Sequence, residues 1–251
     1  MINADETRPP VPRGGRINAD ETIPPGGEKN GGGTVRLVSG ESVGDSYVIH
    51  SPLQESGKQS RVYLAKRWGK SYVVKLYRDG WRPSPRMQNF LTNVNHKNIA
   101  RVASCGEYAG HYYEIYDYYP EGTLGQAGAL PGTQIQNVVV PSVNEGLHEL
   151  HKNGIVHCDI KPDNLFFADD HGRVVIGDCG ISGYAGADGK LVDSIRGTPE
   201  YAPPVKAILW SASLSPAYDY GSFGLVVCRM LLGFSLFSEY EPHLLDRYDL
   251  F

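Results

Sequence analysis

The chain has 251 residues, 41% of them apolar, and a formal net charge of -4. That suits one large domain or two small lobes with a real core, and argues against nucleic-acid binding by bulk charge. The longest apolar stretch, around Phe223 to Phe237, is interrupted by Arg229 and is too short for a membrane span.

Residues 1–33 are rich in Pro, Gly and charge and read as a disordered tail, because they bury too little apolar surface to offset ordering entropy. The segment INADETRPP (2–10) returns as INADETIPP (17–25), with one difference. The polar start predicts no secretory leader. Cys105, Cys158, Cys179 and Cys228 show no C-x-x-C pairing, which predicts neither a zinc site nor disulfides and fits a reducing cytosol.

From Thr34 the composition changes. TVRLV (34–38), SYVIH (46–50), RVYLAK (61–66), SYVVKLY (71–77) and YYEIYDYY (112–119) are β-branched and aromatic runs that predict strands. Ser84-Pro85 predicts a helix to about Val94, with Ser as cap and Pro in the first turn. IQNVVVPSVNEGLHELHKNG (135–154) predicts a long helix closed by Gly154. Two short strands, NLFF (164–167) and RVVIGD (173–178), and a helix over Tyr218 to Leu232 follow. A β-rich part before a helix-rich part predicts a two-lobed α+β fold, about 34–118 and 119–251.

The chemistry-bearing residues sit between these elements. HCDIKPDN (157–164) places Asp159 on a loop after a helix, where it can accept a proton from a hydroxyl. Lys161, two residues on, alternates back toward the same site. Asn164 and Asp178 offer oxygen ligands from two segments, as a hard cation such as Mg²⁺ requires. Lys75, on a strand, can grip nucleotide phosphates. Singly these residues would mean little; their joint order carries the argument.

That order resembles the eukaryotic-like Ser/Thr protein kinase family, in its bacterial form. YVVK (72–75) stands where the strand lysine motif stands, HCDIKPDN where H-R-D-x-K-x-x-N does, and DCG (178–180) where D-F-G does. GTPEYAPP (197–204) resembles the end of an activation segment, and Asp219 in YDYGSFG (218–224) resembles the buried Asp that opens the large helix. The resemblance covers 46–251 and implies a bilobal kinase-like fold, ATP and Mg²⁺, and a protein substrate. It implies catalysis by Asp159 and Lys161, and a nucleotide site from Lys75, Gly57, Val62, Val73, Asp117, Tyr119 and Phe166. It implies metal ligation by Asn164 and Asp178, and substrate docking at Thr198. Lys161 and Thr198 point to Ser/Thr acceptors, since tyrosine kinases usually carry Arg and Ala in this loop. Thr7, Thr22 and Ser194 are the candidate phosphorylation sites. The tail threonines, each after Asp-Glu and before x-Pro-Pro, would suit a phosphothreonine reader such as a forkhead-associated domain. No nucleic-acid or membrane partner is expected. The location implied is cytoplasmic, with delivery into a host cell as the alternative.

Several positions depart from the family pattern. ESGKQSRV (55–62) keeps only Gly57 of the Gly-rich loop. Counted back from NHKNI (95–99), the helix position of the usual acidic partner of Lys75 falls near Met87, with Gln88 beside it. Lys75 is therefore expected to lean on Asp178, Gln88 or the nucleotide. Cys158 replaces the Arg that would hold an activation-loop phosphate, so no switch of that kind is expected. Cys179 replaces the Phe of D-F-G and requires a neighbour such as Leu91 or a Tyr to fill space; Val73 replaces the usual Ala above the adenine. Pro204 replaces the Glu of A-P-E, which is expected either of a minimal kinase with a shortened C-lobe or of a chain cut from a longer one. His157 is expected to be a core residue, and Asp219 a structural one. These departures leave a second reading, a pseudokinase that binds nucleotide or acts as a scaffold. A small-molecule phosphotransferase is disfavoured by GTPEYAPP, which resembles a peptide-docking surface.

Overall fold

The computed structural model describes residues 35–54, 59–180, 182–184, 197–202 and 214–236. Thr7, Thr22, Gly57, Ser194 and Pro204 lie outside the described residues.

The first part is a six-stranded antiparallel sheet. Its strands are β1 (Ser42–Val43), β2 (Tyr47–Gln54), β3 (Ser60–Arg67), β4 (Lys70–Tyr77), β5 (Val102–Tyr108) and β6 (His111–Asp117), in the order β1-β2-β3-β4-β6-β5. The two-residue alternation of a strand divides the sheet into two faces. Tyr63, Ala65, Val74, Leu76, Tyr113 and Ile115 go to one side, into a buried cluster with Ile49 and Leu37. The opposite side carries Val62, Val73, Lys75, Tyr77, Glu114 and Tyr116, and the register sets Val62 and Glu114 on either side of Lys75.

Helix α1 (Pro85–Asn93) connects β4 to β5 and starts as expected: Ser84 Oγ accepts from the Met87 N–H at 3.3 Å, with Pro in the first turn. Its buried residues, Met87 and Leu91, join the core of the helical part rather than that of the sheet. Backbone bonds tie the segment after α1 to the catalytic side: Ala100 N–H donates to Ile176 O at 2.8 Å, and Ile176 N–H to Asn98 O at 2.9 Å.

The second part holds α2 (Leu124–Ala127), α3 (Val140–Lys152), β7 (Ile155–Val156), β8 (Leu165–Ala168), β9 (Arg173–Ile176), β10 (Gly183–Tyr184) and α4 (Ala217–Leu232). The expected helix from Ile135 is present in two pieces. Pro141 has no N–H to give to the preceding turn. The chain absorbs this with a π turn over Ile135–Val139, in which the Val140 N–H donates to Ile135 O, before α3 proper begins. Leu124, Leu147, Leu150, Leu165, Val226 and Met230 anchor one core that unites the helices with β8 and β9.

Two expectations about strands need correction. TVRLV is not a strand over its described part. Its backbone groups are taken by side chains: Leu37 N–H donates to Tyr63 Oη, Arg61 to Val35 O, and Val38 N–H to Glu41. Leu37 still packs into the sheet core, so the apolar pattern marks burial rather than a ladder. Conversely, β5 (VASCGEY) is a strand whose middle, from Ala103 to Glu107, lacks strong β-formers. Gly106 belongs there because a side chain would meet the Tyr113 hydroxyl, 2.7 Å from where its Cβ would stand.

Candidate active site

The loop from His157 to Asn164 leaves β7 and enters β8, and α4 fixes its backbone. The fully buried Asp219 accepts the N–H groups of His157 (2.8 Å) and Cys158 (2.9 Å), while its Oδ2 also bonds His151 Nε2 at 2.8 Å. His157 is buried as expected and is a strut. Its Nδ1 accepts the Asp159 N–H at 3.2 Å, so Nε2 carries the proton and donates to Gly177 O at 2.9 Å. The loop is thereby tied to the segment that presents Asp178. Cys158, with φ of 67°, holds a left-handed conformation that costs a non-glycine residue energy. Gly197 faces it, where a Cβ would lie 2.3 Å from Cys158 O.

Asp159 is the centre of the site's lower half. Its Oδ1 accepts from the Thr198 N–H (2.9 Å) and the Thr198 hydroxyl (2.8 Å). Its Oδ2 lies 3.0 Å from Asn164 Nδ2 and 3.0 Å from Lys161 Nζ. Lys161 Nζ also donates to Thr198 Oγ1 at 2.8 Å. Four residues from the loop and from GTPEY thus form one closed network. Such a network orients the carboxylate, sets an ammonium beside it, and leaves an entering hydroxyl to displace one of the chain's own donors.

Asn164 and Asp178 flank the open end of the β8–β9 hairpin, one entering β8 and the other just past β9. Both amide hydrogen bonds of Asn164 go to Asp159, which leaves its Oδ1 without a donor among the described residues. Asp178 uses Oδ1 for Lys75 Nζ at 2.5 Å and for the Gly180 N–H at 3.3 Å, which leaves Oδ2 without a donor among the described residues. Two free hard oxygens fit a Mg²⁺ ion that completes its shell with phosphates and water. Burial alone would raise the Asp178 carboxyl, but the charge and hydrogen bond of Lys75 outweigh it and hold it down to about 2. Gly180 has no room for a side chain without crowding: a Cβ would stand 3.0 Å from Asp178 Oδ1 and 3.3 Å from Lys75 Nζ.

The upper half differs from the family pattern as the sequence requires. No residue of α1 is acidic, and Lys75 rests on Asp178. Met87 is buried in the core, and Gln88 Nε2 is buried without a hydrogen-bond partner among the described residues. The Lys75 side chain is only 10% exposed. Burial alone would lower its pKa, but the charges of Asp178 and Glu114 together raise it. Glu114 was not among the expected site residues. It is fully buried, stands opposite Lys75 in the ladder, and accepts the hydroxyls of Tyr77 and Tyr116 at 2.7 Å each. A charged residue amid the tyrosines of YYEIYDYY was its only local signal.

The remaining expected nucleotide residues divide. Val62 and Val73 share the cleft face with Lys75. Tyr119 and Phe166 stack with centroids 5.6 Å apart, and Phe166 covers Gly177. Asp117 ends β6, and its carboxylate pairs with Lys70 at 2.6 Å. Cys179 is buried in the same cluster as Leu91 and Met87, so the space left by a smaller residue is filled from α1.

A two-lobed fold with a lysine on the sheet, an Asp-centred loop and a second Asp after a hairpin defines a protein kinase. The family of the protein kinase domain matches residues 55–248, and the chain belongs to it, as a eukaryotic-like protein kinase. A probable protein kinase of Dictyostelium discoideum is 30% identical over 201 residues, 72% of this chain and 54% of that protein. The serine/threonine-protein kinase pkn2 of Myxococcus xanthus is 28% identical over 204 residues, 71% of this chain and 23% of its own. Among solved structures, the kinase PK-1 of the Cydia pomonella granulovirus superposes with a TM-score of 0.66 at 26% identity, covering 78% of this chain and 72% of that one. The chain spans about half, or less, of the curated relatives it matches. No helix among the described residues is long and apolar enough to cross a membrane.

Proposed function

We propose that the chain transfers the γ-phosphoryl group of ATP to Ser or Thr hydroxyls of proteins, its own tail included, in a domain spanning about 34–251. The observation that carries this is the closed network on Asp159. A transfer that passes through little covalent chemistry needs positioning and charge neutralisation above all. Asp159 orients the acceptor hydroxyl and receives its proton as the oxygen attacks phosphorus and the bond to the β-phosphate oxygen breaks. Lys161 neutralises charge on the moving group, and Thr198 holds both and faces the substrate. Lys75, Val62, Val73, Tyr119 and Phe166 hold the nucleotide, with Asp117 at their edge; Gly57 is assigned to the same role from its place in the sequence alone. Asn164 and Asp178 would hold Mg²⁺, which supplies charge neutralisation between the phosphates.

The Ser/Thr choice rests on Lys161 and its bond to Thr198. The tail is proposed as a substrate because its repeat has no folding reason to recur, and about thirty residues span on the order of 30 Å as a flexible chain. Phosphate on Thr7 or Thr22 would add charge and acceptors that a forkhead-associated domain can read. The absence of a carboxylate on α1 favours a second reading, a nucleotide-binding module without transfer. Incubation of the full chain with labelled ATP, Mg²⁺ and a generic protein substrate decides between them, with Asp159→Asn as control. Label on Ser or Thr in the wild type alone is expected; no label in either protein supports the second reading. Mass spectrometry of the same reaction should find Thr7 and Thr22 modified, and unmodified tail threonines beside other labelled sites would reduce the tail to a linker.

A further inference from the structure

Glu114 is a buried charge to which the mechanism above assigns no role. It lies directly across the β4–β6 ladder from Lys75, and directly opposed antiparallel residues bring their Cβ atoms to about 4.5–5.5 Å. Tyr77 and Tyr116 both donate to its Oε2, whereas its Oε1 is buried without any partner among the described residues. A carboxylate oxygen stripped of water and given no donor is costly, so its persistence asks for a ligand. Lys75 is its ladder partner, and the two charges act on each other.

Lys75 now sits on Asp178, one of the two open metal donors. Once Asp178 gives its lone pairs to a cation, its charge is shared, and Lys75 loses its counter-charge in a nearly dry site. Helix α1 has nothing to offer, since it contains no acid and Met87 is committed to the core. We infer that Glu114 is the positioning residue for Lys75: its Oε1 receives Lys75 Nζ when nucleotide and cation engage Asp178. The carboxylate then comes from the adjacent strand instead of the helix. Anchoring of Lys75 is therefore built into the sheet register, and no swing of α1 is needed to complete the site. This rests on the kinase reading of the same site.

The test uses the full chain with Glu114→Gln, which keeps the shape and removes the charge. Acylation of Lys75 by an amine-reactive reagent, followed by mass spectrometry across pH, reports its titration. The midpoint should fall by about one unit or more, as loss of an adjacent opposite charge demands. Affinity for Mg²⁺–ATP, measured by titration calorimetry, should fall by about tenfold or more. A folded variant with an unchanged Lys75 midpoint and unchanged affinity overturns the inference and leaves Glu114 a structural residue. If Glu114→Gln does not fold, Glu114→Met combined with Tyr77→Phe and Tyr116→Phe removes the orphaned hydroxyls as well, and the same two readouts apply. A wild type that binds Mg²⁺–ATP but labels no substrate defeats the transferase reading alone, because the Lys75 titration still decides the role of Glu114.

Discussion

The two halves of the cleft are built on different principles. Below, Asp159, Lys161 and Asn164 lie within six residues of one another on one loop, joined by Thr198 and held from behind by Asp219. Above, Lys75, Glu114 and Asp178 come from three separate segments, and the helix that usually supplies the acid supplies none. The lower half is set by local spacing along the chain, so its parts cannot easily be exchanged. The upper half is set by strand register, so a charge can move from one element to its neighbour and still face the same lysine.

The largest effect should come from the lower half. Asp159→Asn should reduce phosphoryl transfer by about 10²–10⁴-fold, the usual contribution of a positioned proton acceptor. Mg²⁺–ATP binding should survive, because Asp159 contacts the acceptor side. Turnover equal to wild type would remove Asp159 from the mechanism.

Asp219→Ala probes the same half from behind. It strips two buried backbone N–H groups and His151 of their acceptor. At about 1–3 kcal/mol for each orphaned donor, a loss of roughly 3 kcal/mol or more is expected. Denaturant unfolding measures it, and a loss within experimental error would mean that the loop holds its left-handed Cys158 unaided.

In the upper half, Asp178→Ala should abolish stabilisation by Mg²⁺–ATP while nucleotide without metal binds as weakly as before. At a hundredfold excess over Kd, the wild type should gain about 2.7 kcal/mol from ligand, and the variant close to nothing. Equal thermal shifts in the two proteins would refute Asp178 as a metal ligand.

The difference between the halves also explains what could be read from the sequence. The loop motifs were legible because Asp159, Lys161 and Asn164 carry their geometry in their spacing, and Ser84-Pro85 was legible because a cap is a local event. The missing acid on α1 was legible by counting. Its counterpart Glu114 was not, since only the pairing of two strands 39 residues apart in register brings it to Lys75. β5 escaped for a related reason: Ser104, Cys105 and Gly106 are poor strand formers that their neighbour β6 holds in place. TVRLV misled because burial and strand pairing share one apolar signature until the fate of each backbone N–H is known.

The smallest expected effect separates the two carboxylates around Lys75 by sign. Asp178 is held below the ordinary carboxylate range, at about 2, against about 3.9 in an unfolded chain. A depressed folded pKa means that the unfolded state binds more protons in this window. Its contribution is therefore fully present above about pH 4 and is lost as pH falls toward 2. Glu114 behaves in the opposite way. Burial pushes its pKa up, beyond what Lys75 and the two tyrosine hydroxyls pull down. The folded state then binds more protons than the unfolded one, so its contribution diminishes as pH rises above about 4.3, the value of an unperturbed Glu. Urea midpoints of wild type, Asp178→Asn and Glu114→Gln, taken at pH steps from 2 to 8, read both slopes. The wild-type advantage over Asp178→Asn should grow from pH 2 to about 4 and then level, because only in that window does the Asp178 proton count differ. The wild-type advantage over Glu114→Gln should shrink above pH 4. Because the Asp178 side chain is 46% exposed, solvent screening keeps its slope shallow. Slopes of the same sign for the two variants would show that Glu114 is not a desolvated charge, and would leave Asp178 as the sole partner of Lys75.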